Sequence, residues 1–138
     1  MPGPPWEVDV LDATWIGVAP AAVAGPVADP ANWQRWWPDL DLEASELRGP
    51  KGVRWTVRSA LAGRAAGSME IWLQDKDDGT IAHFFLRLDG THRPLSQRER
   101  RESERAFRVR MKRTMWALGD RLDPGRLARV AGPPTRIP

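Results

Sequence analysis

A chain of 138 residues with eight Trp, three Phe and no Cys suits one domain with a single core, and it excludes a disulfide framework, a thiolate nucleophile and a Cys-based metal site. No apolar run approaches the roughly 20 residues of a spanning helix, and Met1 to Pro5 is Pro-rich without the features of a signal peptide, so a soluble cytoplasmic protein is expected. The net charge of +3 conceals a division: residues 1–92 hold 8 Lys/Arg against 13 Asp/Glu, a balance of −5, while residues 93–138 hold 13 against 5, a balance of +8.

Val8, Val10 and Ile16 predict a first strand, which ends at Ala19-Pro20. Pro20 to Ala28, with Val23 and Val27 four apart, predicts a short helix, and Asp29-Pro30 caps and starts a second. In that second helix Trp33, Trp36 and Trp37 fall on one side of a turn before Pro38 ends it. Leu40 to Leu47 is a weak strand, and Gly49-Pro50-Lys51-Gly52 is a turn. Val53, Trp55, Val57, Ser59 and Leu61 then alternate with Arg54, Thr56, Arg58 and Ala60, a strand with one apolar and one basic face. Gly63 and Gly67 bracket the next turn, where a bulge would decide which sheet face Trp55 joins.

Two strands follow, Ser68 to Asp75 and Thr80 to Asp89, joined at Asp78-Gly79, the strongest hairpin signal in the chain. Taking those two residues as the loop sets Leu73 opposite Phe84, Ile71 opposite Leu86 and Met69 opposite Leu88 on an apolar face. The other face then pairs Glu70 with Arg87, Trp72 with Phe85 and Gln74 with His83. After Pro94, Ser96-Gln97-Arg98-Glu99 has capping-box spacing and opens a helix to Leu122. Phe107, Met111, Met115, Leu118 and Leu122 form its apolar stripe. Before Phe107 the helix is charged, with self-pairing expected for Arg98–Glu102, Arg100–Glu104 and Glu104–Arg108; lacking a stripe, this half is expected to project beyond the sheet. Residues 1–5 are expected to be disordered, residues 6–122 to form the domain, and residues 123–138 to hold a helical turn with Leu127 and Val130 before a disordered tail.

This order of elements, with Ala19-Pro20-x-x-Val23, Asp29-Pro30-x-x-Trp33-x-x-Trp36-Trp37-Pro38, Gly52-x-x-Trp55, Gly67-Ser68-Met69-Glu70-Ile71-Trp72 and a long C-terminal helix, resembles the START-related or SRPBCC superfamily. Within it the chain is similar to the actinobacterial group labelled polyketide cyclase/dehydrase or lipid-transport-like. The resemblance implies an α+β helix-grip fold: a curved antiparallel sheet of about five to seven strands wraps the C-terminal helix, and two short helices follow the first strand. It also implies a cavity for a lipid-, steroid- or polyketide-like molecule, in a carrier, sensor or non-covalent cyclase scaffold. Five strands are countable where the family usually has about seven, which implies a cavity that is more open or smaller.

Candidate ligand-binding residues are Trp33, Trp36, Trp37, Trp55, Glu70, Trp72, His83, Phe85, Arg87, Phe107, Met111 and Met115. The tryptophans read equally as lid or core, the methionines as pocket wall or core, and Glu70–Arg87 as a ligand-orienting or exposed ion pair. His83 is the candidate acid/base, and a polyketide aromatase/cyclase activity is an alternative, although no nucleophile–base set or paired carboxylates appear. His83 and His92 lack metal spacing, so no metal and no cofactor is expected. Arg98, Arg100, Arg101 and Arg105 are candidates for an acidic protein partner; a homodimer is also considered, and nucleic acid is the lesser expectation. The sheet face that meets the C-terminal helix stays open between the apolar and the mixed one.

Overall fold

The structure, a computed structural model, describes residues 6–90 and 94–123. His92 and the turn expected around Leu127 and Val130 lie outside them. Strand β1 (Val8–Ile16) is followed by α1 (Pro20–Val27) and α2 (Pro30–Trp36), then β2 (Asp41–Leu47), a 3-10 turn at Gly49–Lys51, β3 (Gly52–Ala60), β4 (Ala65–Lys76), β5 (Gly79–Gly90) and α3 (Gln97–Leu122). One antiparallel sheet orders the strands β1-β5-β4-β3-β2, so the two short helices carry the chain from one edge to the other and a meander brings it back. This is the helix-grip fold, with five strands.

Each short helix starts on a proline, and the Asp29 side chain accepts from the Ala31 N–H. The capping box of α3 is present in both directions: Ser96 Oγ accepts from Glu99 N–H, and a Glu99 carboxylate oxygen accepts from Ser96 N–H. Four turns of α3 then bury Phe107, Met111, Met115 and Leu118 against Val8, Val10, Ile16, Met69, Ile71, Phe84, Leu86 and Leu88. The apolar sheet face is therefore the one that meets the helix, and Trp55 joins it. The mixed face is the outside of the sheet.

The charged half of α3 does not project. Arg100 Nε donates to the Glu7 carbonyl at 2.7 Å, and a Glu104 carboxylate accepts from the Asp9 N–H at 2.9 Å. Arg108 and Lys112 both reach Asp12, at 3.6 and 3.2 Å, and Trp116 Nε1 donates to Thr14 Oγ1 at 2.8 Å. Residues 100, 104, 108, 112 and 116 of the helix thus follow residues 7, 9, 12 and 14 of the strand, running the same way. The two spans fit because sixteen helical residues rise about 24 Å and seven extended residues about 23 Å. The expected self-pairing holds for Arg98–Glu102 at 3.0 Å, whereas Arg100, Glu104 and Arg108 turn to β1.

The β4–β5 register differs from expectation by two residues. Lys76 pairs with Gly79, and the loop is Asp77-Asp78, with φ of +53° and +61°. Ile71 accordingly faces Phe84, Trp72 faces His83 and Glu70 faces Phe85; the faces survive because the shift is even. Aspartate tolerates the left-handed region well enough to build this turn. Gly79 serves a different purpose: a Cβ there would come within 2.6 Å of the Ile16 carbonyl oxygen and of the Trp15 indole, so the glycine admits the end of β1. Gly67 likewise lies inside β4, where a Cβ would sit 1.8 Å from the Arg87 carbonyl oxygen, and the turn is made instead by Leu61, Ala62 and Gly63 at positive φ.

Two measurements follow from these contacts. Gly79→Ala is expected to cost about 1–3 kcal/mol in urea unfolding, because the Ile16 backbone cannot yield, while Asp78→Gly stays within about 0.5 kcal/mol. Equal effects at the two positions would return Gly79 to the turn. Separately, the Ser96 N–H, and then the Arg64 guanidinium, hold the Glu99 carboxyl below its ordinary value of 4.5. The resulting stabilisation is present above the unfolded value and disappears as pH falls through the lower folded one. Melting temperatures of Glu99→Gln and the parent are expected to differ by a steady gap above about 4.5 and to converge as pH falls below it; a gap that persists undiminished well below that value would refute the assignment.

Candidate functional site: a cleft between sheet and helix

Three rows of α3 face three ways. One is zipped to β1, one is buried, and a third, made by Glu102, Ser103, Ala106, Phe107 and Arg110, forms the wall of a cleft of about 370 Å3. Its floor is Val8, Leu86 and Leu88 of the sheet; Ala60 and Leu61 close it at the β3–β4 turn, and Asp39 and Leu40 at the link from α2 to β2. Because α3 is fastened along β1 at the sheet edge, the space on its other flank is left to these small and branched side chains. Arg110 spans the rim. Its Nη1 and Nη2 donate to the two Asp39 carboxylate oxygens at 2.6 and 3.2 Å, a bidentate pair joining the helix to the α2–β2 link. The cleft therefore combines an apolar floor with one fixed guanidinium–carboxylate pair, a hydroxyl and the Glu102 carboxylate.

Of the residues singled out from sequence, Phe107 lines this cleft. Met111 and Met115 are buried further along the helix. Trp33, Trp37 and Trp55 pack edge to face, with centroids 5.4 Å apart for Trp33–Trp55 and 5.6 Å for Trp37–Trp55, and Trp36 stands against Trp37 at 5.4 Å. Trp33, Trp37 and Trp55 are buried in the core, and Trp36 is half-buried against it. The Trp33 indole donates to the Val27 carbonyl at 2.6 Å, while the indole nitrogens of Trp37 and Trp55 are buried with no partner. An unpaired donor costs about 1–3 kcal/mol. Burying an indole of roughly 150–250 Å2 at about 25 cal/mol per Å2 returns about 4–6 kcal/mol, so the packing outweighs the loss.

Glu70, Trp72, His83, Phe85 and Arg87 lie on the outer face of the sheet, on the far side from the cleft. With Leu11 and Arg48, the first four line a shallow depression of about 360 Å3. The expected Glu70–Arg87 pair is absent: Glu70, only 8 % exposed, bonds to Arg48, which also reaches Glu46 at 2.9 Å, and Arg87 lies 3.5 Å from Asp9 and over the Phe85 ring. The two-residue register shift explains this, since it sets Arg87 opposite Ser68. His83 stacks on Trp72 with centroids 4.6 Å apart and its Nε2 is 2.8 Å from Gln74 Oε1. Among the described residues no group of three His, Cys, Asp or Glu side chains could hold a metal ion. Of the basic candidates on α3, Arg98 is paired with Glu102, Arg100 is committed to Glu7, and Arg101 and Arg105 are exposed.

The cleft residues that sequence reasoning missed include Asp39, Ala60, Leu61, Ser103, Ala106 and Arg110, with the floor residues Val8, Leu86 and Leu88 read only as core. A signal existed for two of them: Ala106 is the one small apolar residue in the charged half of the helix, and Arg110 stands three after Phe107, on an adjacent flank.

No family model matches the chain, and no curated protein matches it. Several solved structures are similar in fold. The solution structure of the Aha1 dimer from Colwellia psychrerythraea is 13 % identical, with a TM-score of 0.57 over 81 % of this chain and 96 % of that one. TTHA0849 from Thermus thermophilus is 13 % identical, with a TM-score of 0.51 over 83 % and 96 %. Ara h 8.0201 is 12 % identical, with the same TM-score and the same coverages. At such identities the likeness is one of architecture.

Proposed function

We propose that the protein binds a small apolar molecule, lipid- or polyketide-like, in the cleft between the sheet and the first half of α3, as a carrier or sensor. The observation that carries this reading is the recess of about 370 Å3 floored by Val8, Leu86 and Leu88 and spanned at its rim by Arg110 and Asp39. Its volume falls near the lower end of small-molecule sites, about 300–1,000 Å3, which favours one short chain or a compact ring system over a two-chain lipid. The apolar end of the ligand lies on the floor, and a hydroxyl meets Ser103 and the Arg110–Asp39 pair at the mouth. The helix-grip architecture shared with the three solved structures supports the reading at the level of fold. Catalysis through His83 is not part of it, since that ring stands on the opposite face of the sheet.

Titration with N-phenyl-1-naphthylamine, a neutral apolar fluorophore, tests the site. Fluorescence is expected to rise on binding, and the melting temperature to increase, by the equivalent of about 2.7 kcal/mol when the probe is at a hundred times its dissociation constant. Ala106→Phe and Ala60→Leu, which fill the cleft, are each expected to weaken the probe at least about tenfold, or about 1.4 kcal/mol, while His83→Ala leaves its affinity unchanged. Weakening by His83→Ala with indifference to both filling variants would move the site to the outer depression and overturn the proposal.

A further inference from the structure

The face of α3 turned away from the sheet carries charges that the fold does not use. Arg98 is answered by Glu102, Arg108 and Lys112 by Asp12, and Arg110 by Asp39. Among the described residues, Arg101, Arg105 and Arg113 have no carboxylate within ion-pairing distance, and all three are exposed. They are interleaved with two large apolar side chains held out in solvent, Val109 at 41 % exposure and Trp116 at 46 %. Trp116 is not loose, because its indole nitrogen is bonded to Thr14 Oγ1. A groove of about 510 Å3 along this face is lined by Arg105, Val109 and Arg113 together with Glu102, Ala106 and Arg110. The last three also line the cleft. The mouth of the cleft and the basic face are thus contiguous.

We propose that this face seats the protein on an anionic bilayer surface with the cleft mouth toward the lipid. Three unpaired guanidinium groups spread over twelve residues of one helix, about 18 Å, wind across about 120° of its outward face and present positive charge to a plane. Trp and Val between them match the boundary of headgroup and acyl chain, where an indole places its ring in apolar and its N–H in polar surroundings. A nucleic-acid backbone would use the arginines and gain little from an exposed Val109. Among the described residues no helix is long and apolar enough to cross a membrane, so the contact is peripheral. The seating extends the carrier reading by letting an apolar ligand pass between bilayer and cleft without crossing water. It stands on separate residues, so the two can fail independently.

Co-sedimentation of the full chain with sucrose-loaded vesicles tests it. Binding is expected to vesicles of phosphatidylcholine containing about 30 % phosphatidylglycerol but not to pure phosphatidylcholine, and to fall sharply between about 50 and 300 mM salt. The variant Arg101→Glu/Arg105→Glu/Arg113→Glu is expected to lose about a hundredfold or more in partitioning, from about fivefold for each arginine lost, while keeping its melting temperature and its N-phenyl-1-naphthylamine affinity. Should the triple variant melt early, the three single Arg→Gln variants are read instead, each expected to lose about fivefold. Equal binding to both vesicle types, undiminished binding by the charge variants, or tighter salt-sensitive binding to a DNA duplex than to the anionic vesicles would each overturn the proposal. Loss of probe binding with vesicle binding intact would sink the cleft reading and leave this one standing.

Discussion

The fastening of α3 along β1 fixes where every other functional surface can be. β1 is an edge strand, and an edge strand offers unpaired backbone groups that a folded protein must cover or blunt. Here the Glu104 carboxylate takes the Asp9 N–H and Arg100 takes the Glu7 carbonyl, so side chains of the helix perform part of what a sixth strand would do. Each contact is partly exposed and individually small, as surface ion pairs are. Their joint effect is geometric: sixteen residues of helix set against seven of strand determine both the direction and the axial position of α3.

Once that position is fixed, the flanks of the helix have separate fates. The row that includes Phe107 and Met111 must enter the core, since the zipped row already occupies the edge. The opposite flank overhangs the sheet where the α2–β2 link and the β3–β4 turn approach it, and Arg110 with Asp39 holds that span. Ala60 and Ala106 are the reason the overhang is a recess and not packed interior, because larger side chains would fill the gap. Elsewhere the tryptophans do fill it. Trp33, Trp37 and Trp55 occupy the interior between α2 and β3, and the recess lies toward the start of the helix.

The sequence displayed the elements well because their signals are local. Ser96 and Glu99 lie three residues apart, Asp29-Pro30 marks a helix start, and alternation marks β3 and both strands of the hairpin. What it could not display was the choice of partner. The spacing of Arg100, Glu104 and Arg108 has the same appearance whether those side chains pair along the helix or reach across to a strand some ninety residues earlier. Asp77-Asp78-Gly79 posed a similar problem. Gly79 was read as the turn residue, but its missing Cβ is needed for the close approach of Ile16 and Trp15, a contact invisible from the hairpin alone. The cleft was hardest to read, for its walls come from five separate segments and half of them are Ala and Leu, residue types that carry no chemical signature.

The outer sheet face carries much of the aromatic and charged side-chain chemistry that stands out in the sequence. Leu11 is 68 % exposed and Trp72 is 40 % exposed, and around them Glu70 is ion-paired with Arg48 and Arg87 with Asp9. Each charge there is answered by one of opposite sign, although the Nε of either arginine has no hydrogen-bond partner. The basic face of α3 differs in this respect. Among the described residues its Arg101, Arg105 and Arg113 keep no carboxylate partner, since Asp12 is taken by Arg108 and Lys112, Asp39 by Arg110 and Glu102 by Arg98. The division of charge between the two parts of the chain therefore survives folding on this face, and the face adjoins the cleft.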